Sequence, residues 1–138
     1  MTMTPPRVVL DASAVLEWLL ARKHKLVIAK LLPVAVLPAS ALTEALYNAV
    51  LAGHALDPQS LYDALLVAGL RIEPVTAVDS IRAGELIAST RLANSAAGSL
   101  SLGDGLCIAV AERLGLTVTG GDQFWETLDL RVSYMPYN

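Results

Sequence analysis

Short apolar runs recur along the chain, and several are rich in β-branched residues, which is typical of strands buried on both faces. The second run is stopped by Pro38, and the fourth is followed by two glycines and an aspartate that fit a turn. We predict five strands, at residues 7–10, 34–37, 71–75, 116–119 and 130–134.

The segments between these runs carry helix start and stop signals. Asp11 and Ser40 are candidate N-caps, Pro58 suits a first turn, and Gly53 suits a helix end. Residues 94–99 are small and predict a loop. The predicted helices cover residues 11–20, 25–32, 40–52, 57–70, 79–92 and 102–114. Strands that alternate with helices predict an α/β fold with a parallel sheet covered on both faces.

Length and composition fit one domain spanning residues 1–138, of which 54% are hydrophobic. No uninterrupted apolar run reaches the roughly 18–20 residues of a membrane span. The first residues lack the pattern of a signal peptide. Cys107 is the only cysteine, which excludes an internal disulfide framework and a cysteine-based zinc site. We therefore expect a cytoplasmic protein without a membrane association.

The net charge of −3 argues against nonspecific coating of nucleic acid, but it allows a local basic patch to touch a short stretch of RNA. A solvated helix face is the alternative interpretation of the basic cluster. The cluster consists of Arg22, Lys23, His24, Lys25 and Lys30.

Four of the thirteen acidic side chains stand beside apolar runs, at Asp11, Glu44, Asp104 and Asp122. In an open α/β fold the binding crevice lies beyond the carboxyl ends of the strands, where these four positions can converge. Carboxylates gathered there repel one another and resist desolvation unless a cation holds them together. The pattern predicts a Mg²⁺ or Mn²⁺ site that serves phosphodiester chemistry.

Structural explanations for the single residues stay open. Asp11 fits an N-cap, Ser101 and Asp104 fit a capping box, and Asp122 fits a turn. Glu44 is harder to explain in this way, because a carboxylate near an apolar helix face needs a partner. Two hydroxyl residues, Ser13 and Thr119, are supporting candidates for holding a water or a phosphate.

Other chemistries lack their motifs. The chain has no Walker-type loop, no G-x-G-x-x-G and no G-x-S-x-G. A strand followed by Asp also begins aspartyl-phosphate phosphatases and receiver domains, but every lysine precedes residue 31, so no late lysine is present to neutralise an acyl phosphate. Carboxylates, a divalent ion and water remain.

Three segments, with their spacing, resemble the PIN domain family and, more narrowly, the VapC toxins of bacterial toxin–antitoxin pairs. They are VVLDASAVLEWLL, SALTEALYNAV and LSLGDGLCIAVAERLGLTVTGGDQFW. The resemblance implies a PIN-like three-layer α/β/α sandwich with a twisted, mainly parallel sheet of about five strands. It also implies a Mg²⁺- or Mn²⁺-dependent endoribonuclease, with Asp11, Glu44, Asp104 and Asp122 as its acidic residues. A homodimer and inhibition by a cognate VapB-like antitoxin near the acidic pocket follow from the same resemblance.

Two departures from the family pattern bear on activity. Relatives often carry Thr where this chain has Gly120, and often Arg where it has Gly105. Neither change removes a carboxylate. A catalytically inactive PIN-like module that binds RNA or protein is the main alternative, and a flap-type DNA nuclease, which usually needs more acidic residues and extra segments, is a second.

The high apolar fraction also predicts helix faces that are left for a partner. We expect a homodimer whose groove also receives an antitoxin helix. The candidate exposed residues on these faces are Leu16, Trp18, Leu19, Leu61 and Leu65.

Overall fold

The centre of the fold is a sheet of four parallel strands. In the computed structural model, which describes residues 4–93 and 98–138, the strand order is β3-β2-β1-β4. The strands pair in parallel throughout, so their carboxyl ends meet at one edge. Their bounds are β1 Val8–Leu10, β2 Ala35–Pro38, β3 Arg71–Glu73 and β4 Thr117–Thr119.

Six helices accompany the sheet in the described residues, and four of them begin at the side-chain caps Asp11, Asp57, Thr76 and Ser101. Short 3-10 turns cover Leu32–Val34 and Gln123–Thr127. The helices are α1 Ala12–Leu19, α2 Lys25–Leu31, α3 Ala39–Leu51, α4 Pro58–Val67, α5 Ala77–Leu92 and α6 Leu102–Leu114.

The side chains of β1 alternate between two cores. Val8 and Leu10 join the core formed with α1 to α4, whereas Val9 joins Ile108 and Val118 in the core formed with α5 and α6. This alternation follows from the two-residue period of a strand. The result is the three-layer α/β/α arrangement that the sequence predicts.

The fifth predicted strand, at residues 130–134, is not a regular strand. Only Tyr134 forms a bridge, in parallel to Val118, although the Met135 and Tyr137 N–H groups also donate to β4 and the residue after it. A longer ladder is interrupted at Arg131, whose N–H donates to the Glu112 carboxylate. The sheet therefore has four strands and an irregular segment, residues 133–137, beside β4.

Several predicted boundaries shift by a few residues. Helix α4 ends before Leu70 because Gly69 adopts a positive φ. Helix α5 begins before Asp79, which closes a capping box with Thr76. Pro38 belongs to β2 and precedes α3 directly, so Ser40 is not its cap. The predicted loop at residues 94–99 lies partly outside the described residues.

The predicted apolar partner face is wrong. Leu16, Leu19, Leu61 and Leu65 are buried in the first core, and Trp18 is half-buried against it. Through these leucines, α1 and α4 pack into the first core. Within the described ranges, no helix has the length and apolar character needed to cross a membrane.

Candidate metal centre

The four predicted carboxylates lie at the carboxyl edge of the sheet, and we call Asp11, Glu44, Asp104 and Asp122 the acidic edge. Asp11 follows β1, and Asp122 follows β4 after two glycines. Helix α3 leaves the end of β2 with Glu44 in its second turn. Helix α6 runs back toward the start of β4, so Asp104, in its first turn, is at the same edge.

Electrostatic coupling shows that these groups are near one another. The charges of Asp104 and Glu44 both contribute to a raised pKa of Asp11. Asp104 likewise contributes to a raised pKa of Glu44, and Asp122 to a raised pKa of Asp104. The structure therefore places all four residues singled out in the sequence at one edge of the sheet, each within electrostatic range of at least one other.

Asp11 is the most buried of the four, with 8% of its surface exposed. Its Oδ1 accepts the Ala14 N–H at 2.9 Å, which makes it the N-cap of α1. The Ser13 hydroxyl lies 2.9 Å from both carboxylate oxygens. Burial nevertheless raises its pKa to about 6, because desolvation outweighs these hydrogen bonds. The capping role is real, yet within residues 4–93 and 98–138 no cationic side chain forms an ion pair with this desolvated carboxylate.

Asp104 and Asp122 also have local structural roles. Asp104 forms the predicted capping box with Ser101, yet burial still raises its pKa. Asp122 is exposed and accepts the Phe124 N–H at 2.9 Å at the start of a 3-10 turn. Capping orients both side chains at the edge, so the structural and functional interpretations are compatible.

Glu44 lies against the start of α6. A Cβ on Gly103 would lie 1.7 Å from Glu44 Oε1, so a larger residue at position 103 would force the end of the Glu44 side chain to rotate away. Among the described residues, no hydrogen bond or ion pair reaches the Glu44 carboxylate, and burial raises its pKa. A cleft of about 560 Å³ opens beside it between α3 and α6, with Tyr47 and Leu106 in its wall.

The two supporting hydroxyls differ in their surroundings. Ser13 contacts the Asp11 carboxylate directly, as described above. The Thr119 Oγ1 is fully buried and has no hydrogen-bond partner among residues 4–93 and 98–138. Its backbone carbonyl accepts the Asp11 N–H at 3.1 Å, which joins the ends of β1 and β4. Thr119 therefore contributes through its backbone to the placement of Asp11.

The two glycine departures have separate consequences. A Cβ on Gly120 would lie 2.7 Å from Asp11 Oδ2, so a larger residue there would have to displace the carboxylate or the loop. A Cβ on Gly105 would lie 2.6 Å from Ile87 Cδ1 in α5. A side chain at position 105 would therefore leave its helix toward α5.

Three further side chains border the acidic edge, and none of them is among the site residues predicted from the sequence. Cys107 Sγ lies 3.4 Å from the Leu10 carbonyl oxygen, and burial keeps the pKa of its thiol well above its usual range. The Tyr134 hydroxyl donates to the Asp122 carbonyl at 2.9 Å, and the Tyr137 hydroxyl lies 3.4 Å from Ser13 Oγ. No spacing in the sequence indicates these tyrosines, because their placement depends on the irregular pairing beside β4.

The donor chemistry of the acidic edge fits a hard divalent cation. Carboxylate oxygens are the ligands that Mg²⁺ and Mn²⁺ prefer, and none of the four ion pairs between described residues involves this edge. In the same ranges, no three His, Cys, Asp or Glu side chains are already grouped tightly enough to hold an ion. Binding of an ion at this edge would therefore require the carboxylates to come closer together than they lie in this structure.

Comparisons with solved structures show the same fold at low sequence identity. The structure of VapC20 from Mycobacterium tuberculosis, a Sarcin-Ricin loop cleaving toxin, matches with a TM-score of 0.67 and 17% identity over 91% of this chain and 98% of that chain. VapBC2 from Rickettsia felis, bound to a promoter DNA fragment, matches with a TM-score of 0.74 and 15% identity over 95% and 98% of the two chains. A toxin–antitoxin complex from Klebsiella pneumoniae matches with a TM-score of 0.62 and 15% identity over 82% and 84%.

Sequence comparisons define the family. No curated protein matches the chain significantly. The family model described as PIN domain matches residues 8–127, which include the whole acidic edge and all four strands. The chain therefore belongs to the PIN domain family.

Proposed function

We propose that this protein is a VapC-type endoribonuclease that hydrolyses RNA phosphodiester bonds with Mg²⁺ or Mn²⁺ at the acidic edge. The observation that supports this proposal most is the buried Asp11 carboxylate, which has no cationic partner among the described residues and whose pKa is raised further by the nearby carboxylates of Asp104 and Glu44. Such a cluster is costly in the free protein, and a divalent cation offsets that cost.

Asp11 and Asp104 are the proposed direct ligands, and Glu44 and Asp122 complete the shell directly or through water. A divalent ion held by these carboxylates would lower the pKa of water at the site and would offset charge that develops on the phosphate oxygens. The protein's own hydrogen bonds orient the proposed ligands. Ser13 holds the Asp11 carboxylate, and the Ser101 N–H, 3.4 Å away, holds that of Asp104.

RNA has room on both sides of the acidic edge. The cleft between α3 and α6 adjoins Glu44, and its Tyr47 is half-exposed, as a base-stacking side chain needs to be. On the other side, His24 of the basic cluster contacts the Tyr137 ring, whose hydroxyl reaches Ser13. Arg22, Lys23 and Lys25 next to it are exposed and suit phosphate contacts.

Partners follow from the same proposal. The solved relatives include a toxin–antitoxin complex, and the negative charge of the acidic edge attracts a cationic side chain as well as a metal ion. We therefore propose a cognate VapB-like antitoxin that places Arg or Lys at the acidic edge, and a homodimer in the cytoplasm formed by this single domain. Exposed apolar side chains such as Leu26, Leu51 and Val67 replace the buried leucines as candidates for these interfaces.

The test is cleavage of purified cellular RNA by the purified protein in Mg²⁺ or Mn²⁺, with EDTA as the control and cleavage sites mapped by sequencing. We expect discrete cuts that disappear with EDTA and with Asp11→Asn. If the protein binds RNA but does not cut it in either metal, an inactive RNA-binding module would be the better interpretation. If the protein cuts flapped DNA in preference to RNA, it would be a DNA nuclease.

A further inference from the structure

We propose that Tyr137 is a positioning residue that acts on Asp11 through Ser13. The inference deepens the proposed function and rests on it, because its consequence is the geometry of a metal-binding carboxylate. The contacts form a line: the Tyr137 hydroxyl lies 3.4 Å from Ser13 Oγ, and Ser13 Oγ lies 2.9 Å from both Asp11 oxygens.

The backbone brings Tyr137 to this position. Residues 133–137 run beside β4, where the Met135 N–H donates to the Val118 carbonyl at 2.9 Å and the Tyr137 N–H donates to the Gly120 carbonyl at 3.3 Å. Asp11 lies on the other side of the same strand end, since its N–H donates to the Thr119 carbonyl. The two residues are thus attached to consecutive carbonyl groups of one segment.

Glycine at position 121 leaves space for the phenol. A Cβ there would lie 2.6 Å from the Tyr137 hydroxyl oxygen, so any larger residue would press on it. On the far side, the His24 ring meets the Tyr137 ring edge to face, with 5.4 Å between the centroids. The ring is therefore held between the loop after β4 and the start of α2.

The consequence for Asp11 follows from the chemistry of a hydroxyl group. Ser13 Oγ has one proton to donate and two acceptor positions. When the Tyr137 O–H occupies an acceptor position, the Ser13 proton is directed to the Asp11 carboxylate. Without Tyr137, the Ser13 hydroxyl is free to rotate, and Asp11 loses part of the hydrogen bond that fixes its orientation. Linked hydroxyl groups also strengthen one another in a poorly solvated site.

The test is a double-mutant cycle of Tyr137→Phe and Ser13→Ala, with Mn²⁺ affinity measured by calorimetry and RNA cleavage measured in parallel. Phenylalanine keeps the ring and its contact with His24 but lacks the hydroxyl. We expect each single variant to weaken Mn²⁺ binding about 3- to 10-fold, as for loss of one hydrogen bond. The double variant should be no weaker than Ser13→Ala, since Tyr137 acts through Ser13, and the melting temperature of Tyr137→Phe should stay near that of the wild type.

The matched control is Tyr134→Phe, from the same segment, whose hydroxyl reaches the Asp122 carbonyl instead of Ser13. Its effect on Mn²⁺ affinity should add to that of Ser13→Ala without coupling. Unchanged Mn²⁺ affinity in Tyr137→Phe, or additive effects of Tyr137→Phe and Ser13→Ala, would overturn the positioning role while leaving the nuclease proposal intact. Wild-type protein that binds no Mn²⁺ and cuts no RNA would overturn both.

Discussion

Two groups of carboxylates in this molecule have opposite electrostatic surroundings. At the acidic edge, burial and mutual repulsion raise the pKa values of Asp11, Glu44 and Asp104. Between α5 and α6, guanidinium groups and backbone donors hold the pKa values of Asp79 and Glu112 below their usual range, although burial opposes this shift. We call the second group the ion-paired face.

The partners explain the contrast. Arg113 Nε lies 2.9 Å from Asp79 Oδ1, and Arg82 Nε lies 2.7 Å from Glu112 Oε1. Each buried carboxylate of the ion-paired face thus has a cation supplied by the chain. The chain supplies none to the acidic edge among the described residues. We therefore expect the ion-paired face to stabilise the fold, and we propose that the acidic edge binds an external cation.

The largest expected effect is on RNA cleavage, which should depend on the carboxylates of the acidic edge and not on those of the ion-paired face. Asp11→Asn or Asp104→Asn should reduce RNA cleavage by at least about 100-fold, because loss of a metal ligand removes several kcal/mol of stabilisation of the transition state. The fold should survive, since Asn also caps helices. Asp79→Asn is the matched control and should keep most of the activity at temperatures where it is folded. Near wild-type cleavage by either acidic-edge variant would refute the site assignment.

The second expected effect is on the free energy of unfolding, which should depend on the ion pairs of the ion-paired face. Arg113→Ala leaves the Asp79 carboxylate buried without its cation and should lower the free energy of unfolding by about 3 kcal/mol. Lys30→Ala, at an exposed position, should change it by less than about 0.5 kcal/mol. Denaturant unfolding of both variants measures the difference, and equal small losses would mean that the ion-paired face is not structural.

A third prediction concerns pH in the metal-free protein. Folding raises the pKa of Asp11 from 3.8 to about 6, so its contribution to stability is fully present below pH 3.8 and is lost as the pH rises through about 6. The asparagine of Asp11→Asn cannot ionise, so this variant should not lose stability in this way. Between pH 4 and 7, its free energy of unfolding should therefore rise relative to that of the wild type by up to about 3 kcal/mol. Denaturant unfolding across that range, without metal, measures the gain. If the difference in free energy of unfolding between the two proteins stayed constant across this pH range, Asp11 would not be desolvated in the folded state.

The smallest predicted effect concerns Glu44. Gly103→Ala places a Cβ where Glu44 Oε1 lies, so the carboxylate must rotate away. We expect a loss of cleavage of about 10-fold, of the size seen when groups that orient metal ligands are changed, with little change in stability. Gly84→Ala in α5, where a Cβ meets no atom within 4 Å, is the control. Full activity of Gly103→Ala would remove Glu44 from the proposed shell.

The layers, and the position of the four carboxylates at one edge of the sheet, could be predicted from the sequence because both depend on local patterns. Apolar runs mark the strands, and a carboxylate that directly follows a strand, such as Asp11, must lie at the carboxyl edge of a parallel sheet. The partner face was mispredicted because an apolar residue such as Leu65 looks the same in sequence whether its helix face is turned inward or outward. Tyr137 was missed because its contact with Ser13 depends on pairing between segments far apart in the chain.

Calorimetric melting with and without Mg²⁺ or Mn²⁺ tests most directly whether the acidic edge binds a divalent cation from solution, as we propose. We expect either ion to raise the melting temperature of the wild type, because it binds the folded state and offsets the repulsion among the carboxylates. Asp104→Asn should show a clearly smaller rise, whereas Asp79→Asn, at the ion-paired face, should keep the full rise. Equal metal-induced shifts in the wild type and Asp104→Asn would contradict a shared metal site at the acidic edge.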